Sequence, residues 1–131
     1  MYTAVILDQQ SKSILVNKFG HMIEFGWELI CHHMTINMKE ACNGPASNIL
    51  GHIVNMTASS IAKDNNVIAI GIETSVPSNN KHKHITFAVN KSIGAKAKQS
   101  NDLVDWEILS EPIYLSGIVE EAGRKINNEG L

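Results

Sequence analysis

Two runs of β-forming residues flank a short polar turn in the middle of the chain, and this pattern constrains the fold most strongly. The runs are HIVNMTASSIAK and VIAIGIE, and Asp64, Asn65 and Asn66 lie between them. Asn and Asp tolerate the backbone conformations of tight turns, whereas β-branched residues favour strands. The segment therefore predicts a β-hairpin, and with it an antiparallel sheet.

The remaining patterns predict further strands and one helix. The predicted strands are YTAVILD (2–8), WELICHHMTINM (27–38), HITFAVN (84–90), WEIL (106–109) and IYLSGIVEE (113–121). A partial helical period covers 9–20, where Gly20 is a plausible C-terminal stop. Polar loops are expected at 40–48, 76–83 and 91–102, and a frayed tail from about 123. The pattern predicts an α+β class with mainly antiparallel strands.

Length and composition indicate one globular domain over 1–131. The chain has 131 residues, of which 44% are hydrophobic, and its formal net charge is -2. This charge argues against a protein that holds long duplex nucleic acid by neutralising phosphates. No apolar run reaches the roughly 18–20 residues that span a bilayer, and the sequence shows no secretory signal. We therefore expect no membrane partner and a cytoplasmic location.

A short motif occurs twice in strand context. His33-Met34-Thr35-Ile36 and His84-Ile85-Thr86-Phe87 both read His, apolar, Thr, apolar, and they begin 51 residues apart. Because side chains alternate along a strand, each His shares a face with its Thr. The same alternation predicts that Cys31 shares the face of His33 and that His32 points away from it, as a structural or rim residue.

Two imidazoles and two hydroxyls around one pocket suit phosphodiester chemistry. A neutral histidine can take a proton from water while a protonated histidine gives one to the departing oxygen. Threonine hydroxyls can hold the non-bridging oxygens as charge builds at phosphorus. A single His-x-Thr is more often a strand histidine that is hydrogen-bonded to a neighbour. The motif indicates a functional site because it occurs twice.

The paired motifs resemble those of the two-histidine (2H) phosphoesterases, and the surrounding segments are similar to the RNA-repair-like branch of that family. The resemblance runs from Tyr2 to about Glu121. It implies a bilobal, pseudo-two-fold fold of mainly antiparallel sheets around a central groove, with few flanking helices. It also implies that His33 and His84 are the acid–base pair, in an order left open, and that Thr35 and Thr86 hold phosphate.

The family's activity implies a metal-independent hydrolase of RNA-type phosphodiesters that needs no cofactor. The first choice of substrate is a 2′,3′-cyclic phosphate at an RNA end. The alternative is a cyclic oligonucleotide or 2′,5′-linked signalling nucleotide, as for viral members that counter host defence. A nucleotide-binding module without turnover is a further alternative. The oligomeric state cannot be derived from the sequence.

Three other features carry weaker expectations. Lys98, Ser100 and Asn101 belong to a basic, polar loop that would form a rim of the groove, although a solvated loop is the simpler interpretation. Trp27, Trp106 and Tyr114 are expected in the core, with base stacking as the alternative for the last two. A zinc site is a rival interpretation of the histidines; its candidate ligands are Cys31, His32, His33, His82 and His84.

Overall fold

A computed structural model describes residues 2–38 and 46–122 of the chain. The tail predicted from about 123 lies outside the described residues, as does the loop predicted at 40–48 except for its last three positions. The strands in the described part are β1 (Tyr2–Leu7), β2 (Trp27–Leu29), β3 (His33–Asn37), β4 (Ile53–Lys63), β5 (Val67–Glu73), β6 (His84–Asn90) and β7 (Glu107–Ala122). The helices are α1 (Gln9–Phe19) and short 3-10 turns at Gly20–Met22, Lys91–Ile93 and Ala97–Asp102.

Six of these strands form a closed barrel. The order around it is β6, β3, β1, β7, β4 and β5, and β5 pairs again with β6. β2 pairs with the far end of β6, and every pairing is antiparallel. The predicted α+β class with mainly antiparallel strands is confirmed. No helix in the described part is long and apolar enough to cross a membrane.

The main hydrophobic core fills the inside of the barrel. Its buried side chains come from all six strands, among them Val5, Met34, Met56, Ile70, Phe87 and Val119. In a closed sheet only the inner face brings residues from every strand together. α1 adds Leu15 and Phe19 to the same core. The alternate residues of each strand therefore point to the outer face.

The central hairpin is confirmed. β4 and β5 pair from Lys63↔Ile68 onwards, and the turn between them is held by the side chain of Asp64. One carboxylate oxygen of Asp64 accepts hydrogen bonds from the backbone N–H groups of Asn66, at 2.7 Å, and Val67, at 3.0 Å. This bonding is the reason that an acidic residue starts the turn.

The prediction of two C-terminal strands is wrong, because β7 runs unbroken through Pro112. The pairing of β7 with β4 shifts register between Ile108 and Ile113, and Pro112 lies in that irregular stretch. Proline lacks an N–H and is tolerated in a strand only where the ladder needs no donor. The sequence pattern showed the proline but not the bulge that accommodates it.

The predicted strand over 27–38 is also wrong, because it is broken between β2 and β3. Cys31 has a φ of 42°, in the left-handed region that non-glycine residues rarely adopt. The N–H groups of Ile30 and Cys31 still donate to the carbonyls of Phe87 and Thr86, at 2.8 and 3.0 Å. The chain thus stays on the edge of β6 while its side-chain alternation is reset.

Gly117 is expected to tolerate no side chain. An added Cβ would overlap the carbonyl oxygen of Ile6 and lie 2.8 Å from Cγ1 of Val5, where β1 and β7 pack closely. We expect Gly117→Ala to lower the free energy of unfolding by about 1–3 kcal/mol, measured by urea denaturation. Gly20→Ala is the matched control, since its Cβ would meet nothing nearer than 3.8 Å and its φ is −58°. Equal stability of the two variants would contradict this packing.

Candidate functional site

The four motif residues lie on the outer face of two adjacent strands. Met34 of β3 pairs with Ile85 of β6, and both side chains are buried in the core. The residues on either side of this pair point the other way. Met34↔Ile85 is the pair that joins β3 to β6, and the register changes just before it, where the Thr86 carbonyl accepts a hydrogen bond from the N–H of Cys31. The two motifs are therefore brought together on one surface.

Small or apolar residues flank the motifs on the neighbouring strands. On β1, Ile6 is opposite His33 and Ala4 is opposite Thr35. On β5, Ala69 is opposite Thr86 and Gly71 is opposite His84. None of these four neighbours carries a polar side chain. Among these cross-strand neighbours, the polar groups are therefore the imidazoles and hydroxyls of the motifs.

His84 is held from one side by the loop that precedes β6. Its Nδ1 lies 2.7 Å from the carbonyl oxygen of His82. A carbonyl can only accept, so Nδ1 of His84 carries a proton and Nε2 is left for other chemistry. The ring of His82 stacks on Trp106, with centroids 3.9 Å apart. A Cβ on Gly71 would overlap the Ser60 hydroxyl oxygen and lie 2.9 Å from Nε2 of His82, so a larger residue here would displace both side chains.

His33 contacts His32, which corrects the prediction that His32 points away. Nδ1 of His32 lies 3.0 Å from Nδ1 of His33, and the two rings meet edge to face. His32 precedes the first residue of β3, so the strand alternation on which the prediction relied does not extend to it. The ring of Tyr2 lies 5.1 Å from that of His33 on the other side. No sequence pattern indicated the contact with Tyr2.

Burial keeps both motif histidines neutral near pH 7. Burial, together with positive charge on His32 or His84, lowers the pKa of His33 to about 4. Burial also lowers the pKa of His84, whereas the hydrogen bond to the His82 carbonyl raises it.

The motif threonines have different surroundings. The Thr86 hydroxyl lies 2.8 Å from that of Ser100, which is only 1% exposed. The backbone carbonyl of Thr35 accepts a hydrogen bond from the Ser78 hydroxyl at 2.8 Å. Ser78 was not predicted as part of the site. Its loop, between β5 and β6, also supplies His82, so the same loop contacts both motif strands.

The predicted rim residues divide between the site and the solvent. Ser100 faces Thr86, whereas Lys98 and Asn101 are exposed on the 3-10 turn Ala97–Asp102. The amide of Asn101 donates to the carbonyl of Lys98 at 3.1 Å. The turn therefore lies against β6 through Ser100 and presents Lys98 and Asn101 outwards.

The side chains of the rival zinc site are not arranged as ligands. Cys31 is fully buried within the main core, on the opposite side of the sheet from His33. Among residues 2–38 and 46–122, no three His, Cys, Asp or Glu side chains are grouped so that they could hold a metal ion.

The three large aromatic residues have different positions. Trp27 and Trp106 are partly buried, and each packs against a hydrophobic cluster. Tyr114 is 74% exposed on β7, so its predicted core position is wrong. It follows a bulge, where alternation counted from the sequence does not hold.

Comparison of the chain with protein-family models, with curated proteins and with solved structures found no match.

The lowered pKa of His33 predicts a loss of stability in acid. The unfolded chain protonates this ring below about pH 6.5, whereas the folded chain does so only below about pH 4. In that window the unfolded state binds more protons, so the free energy of unfolding falls as the pH falls. His33→Gln is expected to remove up to about 3 kcal/mol of the fall between pH 7 and pH 4 in urea titrations. An identical pH dependence in wild type and variant would contradict this burial.

Proposed function

We propose that this chain is a metal-independent phosphodiesterase of the two-histidine type, which hydrolyses RNA-type phosphodiesters. The observation that carries the proposal is the pairing of Met34 with Ile85, which joins two His-x-Thr motifs on one face. Two imidazoles on one face can supply both proton transfers.

In the proposed mechanism His33 is the base and His84 is the acid. The pKa of His33 is lowered further than that of His84, so a single proton on the pair resides on His84. Nε2 of His33 takes a proton from water as the water oxygen bonds to phosphorus. The bond from phosphorus to the ribose oxygen breaks, and that oxygen receives the Nε2 proton of His84. Exchange with solvent then restores both rings.

The threonines act on the phosphate in this proposal. When the buried Ser100 donates its hydroxyl proton to Thr86, the Thr86 hydroxyl points its own proton at the Ala97 carbonyl oxygen, 3.5 Å away. A non-bridging phosphate oxygen would replace this long contact and accept the Thr86 proton. Thr35 holds a second oxygen from β3. Donors placed where charge develops stabilise the transition state more than the ground state.

The first choice of substrate is a 2′,3′-cyclic phosphate at an RNA end, in the cytoplasm. A cyclic or 2′,5′-linked oligonucleotide is the second candidate, because isoleucines on three neighbouring strands form an apolar line next to the site. Ile6, opposite His33, pairs with Ile118 of β7, which pairs with Ile53 of β4. Ile118 and Ile53 are exposed, and three strand spacings of about 4.8 Å could carry more than one base.

Loss of either motif histidine is expected to abolish most activity. His33→Ala and His84→Ala should each lower kcat/KM by about 10²–10⁴-fold, the usual contribution of one acid or base. The assay follows product by chromatography on RNA 2′,3′-cyclic ends, 2′,5′-oligoadenylates and cyclic di- and trinucleotides, with and without chelator. His21→Ala, which removes an exposed histidine outside the motifs, is the matched control.

The outcomes of this assay separate the candidate functions. Activity on RNA ends alone supports the first substrate, and activity on cyclic oligonucleotides supports the second. Tight binding in calorimetry without product would identify a binding module and overturn the proposal, as would activity that both alanine variants retain or that chelator abolishes.

The pKa shifts predict an acidic optimum. Turnover needs one ring neutral and the other protonated, and kcat/KM reports the groups of the free enzyme. Since the pKa of His33 is lowered to about 4 and burial lowers that of His84 below its ordinary range, this state is most populated at acidic pH, above the pKa of His33. We expect kcat/KM to be maximal there and to fall about tenfold per pH unit above pH 7. A maximum at alkaline pH would contradict the assignment of His33 and His84.

A further inference from the structure

The contact between His32 and His33 permits only a few protonation states. Their Nδ1 atoms are 3.0 Å apart, which is hydrogen-bond distance. A proton lies between two such atoms when one ring donates and the other accepts, whereas two N–H groups at this distance would repel. At most one of the two Nδ1 atoms therefore carries a proton, and the contact links the tautomers of the two rings.

The other motif histidine shows what such a contact does. The His82 carbonyl binds the Nδ1 proton of His84 and so directs the chemistry of that ring to Nε2. His33 has no carbonyl at its Nδ1 among the hydrogen bonds of the described residues; it has the ring of His32. If the neutral ring of His32 accepts through Nδ1, it holds the proton of His33 on Nδ1, as the His82 carbonyl holds the proton of His84 on Nδ1.

We infer that His32 is a positioning residue, whose Nδ1 accepts the Nδ1–H of His33 and thereby keeps the lone pair of His33 on Nε2. The role of His33 as the base rests on the proposed function, but the tautomer itself does not. His32 also stabilises the imidazolium that forms when His33 takes its proton, because the shared hydrogen bond then becomes charge-assisted.

The surroundings of the pair favour a neutral His32. Burial and the positive charge of Lys12 on α1 lower the pKa of His32, whereas Glu120 on β7 raises it. Tyr2 of β1 and His84 of β6 are the titratable groups that face His33. If both Nδ1 atoms carried a proton, two N–H groups would face each other at 3.0 Å. We therefore expect Nδ1 of His32 to remain an acceptor until the site is acidified.

The tautomer can be measured without any substrate. Long-range proton–nitrogen NMR spectra of the ¹⁵N-labelled protein, recorded above about pH 7, distinguish Nδ1–H from Nε2–H in a neutral histidine. We expect His33 to be protonated at Nδ1 in the wild type, and the Nε2–H form to appear in His32→Phe. A wild-type His33 protonated at Nε2 would overturn the inference, even where His32→Phe does not fold.

Two variants of His32 separate positioning from packing. In His32→Asn the side-chain oxygen is as many bonds from Cβ as Nδ1 is, so it can accept the same proton, whereas His32→Phe fills the space without an acceptor. We expect His32→Phe to lower kcat/KM about ten- to hundredfold, the range seen when a functional histidine loses its outer partner, and His32→Asn to stay near wild type. Equal loss in both variants, or none in either, would overturn the inference.

The same experiments distinguish this inference from the proposed function. A wild type that hydrolyses none of the tested substrates refutes the proposed function, while the NMR result still decides the tautomer of His33. His21→Phe serves as the control for loss of an imidazole and is expected to leave both the His33 spectrum and kcat/KM unchanged.

Discussion

The arrangement of the candidate site depends on the pairing of Met34 with Ile85, where the barrel closes. Strand side chains alternate with a period of two, so a slip of one residue here would turn His33 and Thr35 into the core. Both Met34 and Ile85 are fully buried, and their removal from the core would expose large apolar surface. The apolar residues inside the motifs thus hold the register, and the polar residues between them share the outer face as a result.

The chain adopts a left-handed conformation at Cys31, immediately before the two consecutive histidines that contact each other. A non-glycine residue in the left-handed region costs about 1–2 kcal/mol. The full burial of the Cys31 side chain and the hydrogen bond from its N–H to Thr86 offset this cost. Backbone strain that the surroundings maintain is common at functional sites. Here the left-handed residue lies at the break between β2 and β3, immediately before His32 and His33.

Local patterns predicted what depends on local chemistry. The hairpin around Asp64 and the alternation within HITFAVN were recognisable because a turn and a strand face depend on neighbouring residues. The closure of β3 on β6 joins residues 51 apart through a single pairing of two apolar side chains, for which the sequence offers many equivalent partners. The bulge at Pro112 and the left-handed conformation at Cys31 were not predicted for a related reason, because each depends on the neighbouring strand.

Each motif histidine has a partner at its Nδ1, but the two partners differ. A backbone carbonyl binds Nδ1 of His84 at any pH, whereas the proposed partner of His33 is a ring that itself titrates. Burial leaves both rings neutral until an anion arrives, because a buried charge is stabilised mainly by an opposite charge nearby. On the proposed mechanism a bound phosphodiester supplies that charge and raises the pKa of both rings. The substrate would then help to load His84 with the proton that the leaving oxygen needs, while the contact with His32 keeps Nε2 of His33 free to act as the base.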